Sequence, residues 1–186
     1  LDPETAHDLA IKSLKFNFIY QNKIKKNKSI ETEIFGKKIP NPIGIAAGFD
    51  KDAEVYNSLF KLGFGFVEVG TVTPLNQYGN PKPRIFRLEE DEALINRLGF
   101  NSSGSEKVRS RIISNSPKGL FGINIGPNKD TNNKEEDYLI GLRKFYNLAD
   151  YLTINISSPN TENLRSFHNE DELSKLLDLV EKEKKI

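Results

Sequence analysis

Strand signals and helix signals alternate along this chain, and the alternation limits its possible folds more than any other feature. Apolar runs at 43–47, 66–70, Leu120–Ile125 and 151–156 are each followed by helical spacing, at 53–62, Ser105–Ser114, 135–148 and 171–185. Strands apolar on both faces, each followed by a helix, predict a parallel sheet with helices outside it, an α/β fold. Four such units amount to half of a (β/α)8 TIM barrel, whose usual length is ~250 residues. A free-standing doubly wound sheet of four strands fits the same pattern. Ahead of the alternation, Asp2-Pro-Glu reads as a helix entry: Asp2 caps, Pro3 takes the first helical position and Glu4 faces the positive end of the dipole. Ala6, Leu9, Ala10, Leu14 and Phe18 keep helical spacing, so a helix over 2–16 should lay one face against the outside of the sheet. Residues 32–40 have hairpin character around Gly36.

Two of the strands carry an asparagine among isoleucines. In 151–156, alternation puts Leu152, Ile154 and Ile156 on one face and Thr153, Asn155 and Ser157 on the other. Leu120–Ile125 repeats the design with Asn124. A buried amide is costly unless satisfied, so two inward amides near strand ends suggest a polar ligand with donors and acceptors. Working residues of parallel barrels sit where strands end. Ala46, Ala47 and Gly48, at one such end, are small enough for a flat ring to approach the backbone, or for plain packing. Lys51, between Asp50 and Asp52, is either an anion ligand or an exposed salt-bridge residue. Ser157 and Ser158 beside Pro159 read as loop hydroxyls that satisfy backbone, and Asn160 as a turn former. Glu68, if inward, needs a cation or several donors, and a structural ion pair is expected.

Composition removes several function classes. With 186 residues, one domain is the natural expectation. A net charge of +1 offers no nucleic-acid surface. No apolar run approaches the ~18 residues that cross a bilayer, and no signal peptide is visible. There is no cysteine, hence no disulfide or thiolate metal site, and His7 and His168 are far apart and expected at the surface. Lys23, Lys25, Lys26 and Lys28 form either a solvated loop or a contact with an anionic membrane beside the amphipathic helix. Gly63-Phe-Gly65 is not a dinucleotide fingerprint: it precedes a strand, and Glu68 stands where the third glycine belongs. No methionine occurs, Leu1 stands first, and 180–186 is helical without a Gly or Pro stop, so both ends read as cut.

Five segments, in order, resemble the dihydroorotate dehydrogenases: Ala46-Ala-Gly-Phe-Asp-Lys-Asp52, Gly70-Thr-Val-Thr-Pro74, Ile95-Asn-Arg-Leu-Gly-Phe-Asn101, Gly122-Ile-Asn-Ile-Gly126 and Ile154-Asn-Ile-Ser-Ser-Pro-Asn-Thr161. The likeness is to the membrane-associated, quinone-reducing class 2 enzymes and runs over the whole chain. It implies the barrel rather than the doubly wound sheet. Residues 1–30 would be the latter part of an N-terminal helical extension with a basic linker, and 31–186 the first half of a flavin-binding (β/α)8 barrel.

The resemblance also implies roles. Flavin mononucleotide (FMN) would meet Ala47, Gly48, Phe49, Asp50, Lys51, Thr71, Asn124 and Asn155. Lys51 would take the carboxylate of dihydroorotate, and Asn96, Asn155 and Asn160 its ring, inside the loop of Arg97, Leu98, Gly99 and Phe100. Ser158 would be the base for the C5 proton, where class 1 enzymes use cysteine, with Thr161 and Phe100 in the proton relay and its shielding. A serine hydroxyl needs a closed, dry site for that task. The implied reaction is oxidation of dihydroorotate to orotate in pyrimidine biosynthesis, with electrons passed to a quinone. The implied place is peripheral on a bacterial or mitochondrial inner membrane, reached through the N-terminal extension. Two rivals stand beside it: an inactive half-barrel, and a related pyrimidine-handling flavin barrel with another electron acceptor. The N-terminal helix and Ser158 in place of cysteine weigh against the latter.

Overall fold

The computed structural model describes residues 1–16, 28–161 and 164–184. Phe18, Lys23, Lys25 and Lys26 lie outside the described residues. Eight strands and five α-helices are formed among those described: α1 (Pro3–Lys15), β1 (Thr32–Ile34), β2 (Lys37–Ile39), β3 (Gly44–Ile45), α2 (Tyr56–Leu62), β4 (Phe66–Val72), β5 (Ile85–Leu88), β6 (Ala93–Asn96), α3 (Ser105–Ser114), β7 (Leu120–Ile125), α4 (Lys134–Phe145), β8 (Tyr151–Ile154) and α5 (Glu170–Glu183). Strands β3, β4, β7 and β8 make one four-stranded sheet in sequence order, every pair parallel. The remaining strands form two antiparallel hairpins, β1–β2 and β5–β6.

The outward row of the sheet is apolar. Val67, Val69, Val72, Phe121, Ile123 and Ile125 join one buried cluster with Tyr56 and Leu59 of α2, Val108 and Ile112 of α3, and Tyr138 and Phe145 of α4. Burying side chains of this size is worth roughly 1.5–3 kcal/mol each, which holds the helices to the sheet. The inward row alternates large with absent side chains. A Cβ on Gly44 would stand 2.4 Å from the Phe66 ring, and one on Gly122 only 2.1 Å from the Tyr151 ring. Each glycine is therefore a seat for its neighbour's aromatic ring. The β1–β2 hairpin lies by the N-terminal end of β8, where Lys37 pairs with Asp150 at 2.5 Å and Phe35 meets Tyr151 at 5.3 Å between ring centroids.

Pairing of β4 with β7 contains one irregularity. Val69 is opposite Ile123 and Val72 opposite Ile125, so β4 carries one more residue than β7 over that interval. This bulge resets which residues face inward.

Several expected boundaries move, each for a local reason. The helix expected from residue 53 starts at Tyr56, because Ala53 has φ 53° and the Asp50 carboxylate takes the amides of Glu54 (2.7 Å) and Val55 (2.8 Å). It stops at Gly63, φ 107°. Strand β3 is two residues rather than five, and β8 ends at Ile154, although the Asn155 amide still reaches the Ile125 carbonyl at 3.0 Å. The β5–β6 hairpin was not expected at all.

Helix α1 lies outside the sheet as expected. Asp2 caps it, accepting from Glu4 N at 3.0 Å and Thr5 N at 3.2 Å. Ile11 and Leu14 are buried, the Leu14 carbonyl accepts from Ser58 Oγ at 2.9 Å, and Lys15 pairs with Glu54 at 2.8 Å. No helix among the described residues is long and apolar enough to cross a membrane.

Candidate active site

Three neighbouring strands aim polar side chains at one point. Thr71 Oγ1 donates to Asn124 Oδ1 at 2.7 Å, and the Asn155 amide donates to Thr71 Oγ1 at 3.0 Å and to Asn124 Oδ1 at 3.1 Å. Asn124 in turn donates to Glu68 Oε1 at 2.9 Å, while Thr153 donates to Glu68 Oε2 at 3.0 Å. The ion pair expected at Glu68 is therefore corrected. Its carboxylate is satisfied by neutral donors, Tyr151 also among them, and those donors orient the cluster from below. Burial, with the Glu68 charge second, pushes the Tyr151 phenol well above its usual range. Ser157 closes the top, its amide and hydroxyl both reaching Asn155 Oδ1, at 3.2 and 3.1 Å.

Beside this cluster runs the loop after β3. It is tied to β4 by Gly48 N to Gly70 O at 2.8 Å and Gly70 N to Asp50 O at 3.1 Å. A Cβ built on Gly48, φ 112°, meets nothing within 4 Å, so the space over it is open to a flat ring. Lys51 is half-buried, and its ammonium donates to the Gly48 carbonyl. The exposed salt-bridge reading does not hold: Asp50 is committed to the α2 entry, and Asp52 accepts from Ser103 N at 2.8 Å. Burial pushes the Lys51 ammonium below its usual pKa.

A cavity of about 600 Å³ opens between α1, this loop and the β5–β6 hairpin, and Gly48, Phe49, Lys51, Asn96 and Leu98 are among its walls. His7 and Glu4 wall it from α1. His7, expected at the surface, is half-exposed and engaged. Its Nε2 contacts the Phe49 carbonyl at 2.6 Å, and its ring meets Phe49 edge-on at 5.5 Å.

The loop 96–100 is held from outside by side chains the sequence reading did not single out. Asn80 donates to Arg97 O at 2.8 Å, and Asn80 N to Leu98 O at 2.9 Å. Gln77 donates to Phe100 O at 2.9 Å while its own carbonyl accepts from Asn128 and Lys129 N, both at 2.9 Å. Gly99 (φ 70°) and Phe100 (φ 51°) turn the chain through the left-handed region. Phe100 then packs over Gly126, where an added Cβ would stand 3.0 Å from its ring and 2.7 Å from the Thr71 methyl.

Ser158, Asn160 and Thr161 follow Asn155 in the loop after β8. Ser158 Oγ accepts from Asn160 N at 3.2 Å, the backbone-satisfying role a loop serine commonly takes, and Thr161 is buried. The structure thus gathers Thr71, Asn124 and Asn155 in one cluster and Gly48, Phe49, Asp50, Lys51, Asn96 and Leu98 around one cavity, with Ala47 at the end of β3. Among the described residues, no hydrogen bond links Ser158 to either. Among the described residues, no group of acidic or imidazole side chains could hold a metal.

The class is thus a parallel α/β protein with an inward amide–hydroxyl cluster at the carboxyl ends of its strands, next to an open glycine loop, the place where ligands of such folds commonly bind. The dihydroorotate dehydrogenase family model matches residues 29–186. A dihydroorotate dehydrogenase (quinone) of Bartonella tribocorum is 52% identical over 185 residues, which is 100% of this chain and 51% of that protein. The one from Bartonella henselae is 53% identical, covering 97% of this chain and 49% of its own length. Among solved structures, the ligand-free enzyme of Eimeria tenella superposes with a TM-score of 0.93 at 42% identity, covering 100% of this chain and 54% of that one. Its complex with ferulenol gives 0.91 over 98% and 51%. The chain belongs to the dihydroorotate dehydrogenase family. It spans about half the length of the curated relatives it matches.

Proposed function

We propose that the whole protein oxidises dihydroorotate to orotate with bound FMN and passes the electrons to a membrane quinone, in pyrimidine biosynthesis. The observation that carries this reading is the convergence of Thr71, Asn124 and Asn155, from three adjacent strands, beside the open face of Gly48. The four sequential parallel strands are read as the first half of a (β/α)8 barrel.

FMN, when bound, supplies the acceptor for the hydride from substrate C6. The residues present fit it. Gly48 leaves its ring unobstructed, and two amides and a hydroxyl complement its mixed donors and acceptors. Ala47 to Lys51, Thr71, Asn124 and Asn155 line that place. Lys51 anchors the substrate carboxylate as a point charge. Asn96, Asn155 and Asn160 hold the ring, and Arg97 to Phe100 fold over it. Ser158 takes the C5 proton in a site closed over the substrate, with Thr161 and Phe100 shutting out water. The cavity under α1 supports the acceptor side, since it reaches the same loop from the outside. Peripheral membrane contact through the N-terminal extension is the matching proposal for location.

The test is anaerobic mixing of the whole enzyme with dihydroorotate. Bleaching of the flavin band, orotate formation and recolouring by a quinone are expected. A flavin that stays oxidised with excess dihydroorotate overturns the reading.

A further inference from the structure

Arg84 is 4% exposed and none of the roles above uses it. Every nitrogen of its guanidinium is hydrogen-bonded. Nε reaches both Glu4 oxygens, at 3.2 and 3.1 Å, and Nη2 reaches Glu4 Oε1 at 2.6 Å. Nη1 donates to the carbonyls of Tyr78 at 2.6 Å and Asn80 at 3.0 Å, and the Tyr78 ring lies 4.9 Å from the guanidinium carbon. Lys82 adds a second cation to Glu4 at 3.2 Å. Arg84's hydrogen bonds hold the Glu4 carboxyl below its usual range.

What Arg84 grips matters more than how tightly. Its own carbonyl accepts from Arg97 N at 2.9 Å, and Pro83 O accepts from the Arg97 guanidinium at 3.2 and 2.9 Å. Asn80, whose carbonyl Arg84 holds, is the residue that supports Arg97 and Leu98. A continuous chain of charged and backbone hydrogen bonds therefore runs from helix α1 to the loop 96–100. One turn along α1, His7 reaches the Phe49 carbonyl in the other loop.

We propose that Glu4 and Arg84 are a positioning pair through which helix α1 sets the place of the substrate-gripping loop 96–100. This rests on the function proposed above. A helix that only walls an acceptor cavity has no need of a buried fork reaching the opposite loop. Glu4 and Arg84 touch no substrate and act through Asn80, Arg97 and Leu98. Breaking a buried pair leaves the remaining charge uncompensated, so the loop loosens.

The whole enzyme carrying Glu4→Gln tests this, with Arg84→Lys as a second variant that keeps the charge but loses the fork to Tyr78 and Asn80. Amide exchange over 96–101 should accelerate while Leu120–Ile125 stays protected. Orotate affinity, read from the flavin absorbance, and KM for dihydroorotate should weaken roughly 3- to 30-fold, the range typical of such coupled networks. Unchanged exchange at 96–101 with a defect confined to quinone KM, or to melting temperature alone, overturns the proposal. Absence of any orotate response in the unmodified enzyme would instead count against the functional reading, and the exchange measurement would still decide the role of the pair.

Discussion

Asn124 donates to Glu68 at 2.9 Å across adjacent strands, so a carboxylate facing the inside of the sheet fixes which way the amide at the site points. Glu68→Ala removes the acceptor for Asn124 and Thr153 together. Leaving such donors unpaired costs about 1–3 kcal/mol. A lower urea midpoint and weaker flavin retention by the whole protein are expected. An unaltered midpoint with full flavin content would show that the cluster orients itself without Glu68.

Binding of the anionic substrate should fade at alkaline pH sooner than an ordinary lysine would dictate. Burial lowers the Lys51 pKa, with the Glu4 charge opposing. Lysine is charged below its pKa, so affinity for orotate is full below that lowered value and falls as pH rises through it. Lys51→Ala should bind weakly and lose this alkaline limb. A spectral titration in which wild type and variant share one pH profile would remove Lys51 from carboxylate binding.

Ser158→Ala should slow reduction of the flavin by dihydroorotate roughly 10²–10⁴-fold while orotate affinity stays nearly unchanged. A base acts in the transition state, whereas the roles proposed for Lys51 and the asparagines lie in the ground state. Single-turnover stopped-flow measurement decides it, and an unchanged rate would leave Ser158 as the loop hydroxyl it is in this structure.

Residues 1–186 produced alone should self-associate and hold no stoichiometric flavin. Among the described residues, β3 and β8 are each paired on one side only, and such edges template further pairing. Gel filtration with absorbance detection tests this. A monodisperse monomer with one reducible flavin would sink the half-site view.

Much of the alternation was legible because its patterns are clean: strand Leu120–Ile125 and helix Ser105–Ser114 fall where the sequence places them. The β5–β6 hairpin escaped because its strands are largely exposed and its turn, Glu89 to Glu92, lacks the Asn-Gly type of signal. Two four-residue runs around an acidic turn were the only hint. Asn124 and Asn155 were readable as inward because each interrupts an isoleucine-rich strand. Glu68's partners were not, since Thr153 and Asn124 are neighbours only once the register is known. His7, Gln77, Asn80 and Arg84 act through contacts across long sequence separations, which a linear pattern does not carry.

Strand β4 changes parity at Gly70. Counted from Val67 and Val69, an even strand would send Val72 into the polar interior and Thr71 out among the helices. The extra residue reverses both assignments. Only glycine serves there, since φ is 111° and a Cβ would stand 2.4 Å from the Asn124 carbonyl. One position without a side chain thus decides the address of two others. A substitution at Gly70 would therefore strike the core and the site together, so that loss of fold and loss of chemistry arrive as a single phenotype.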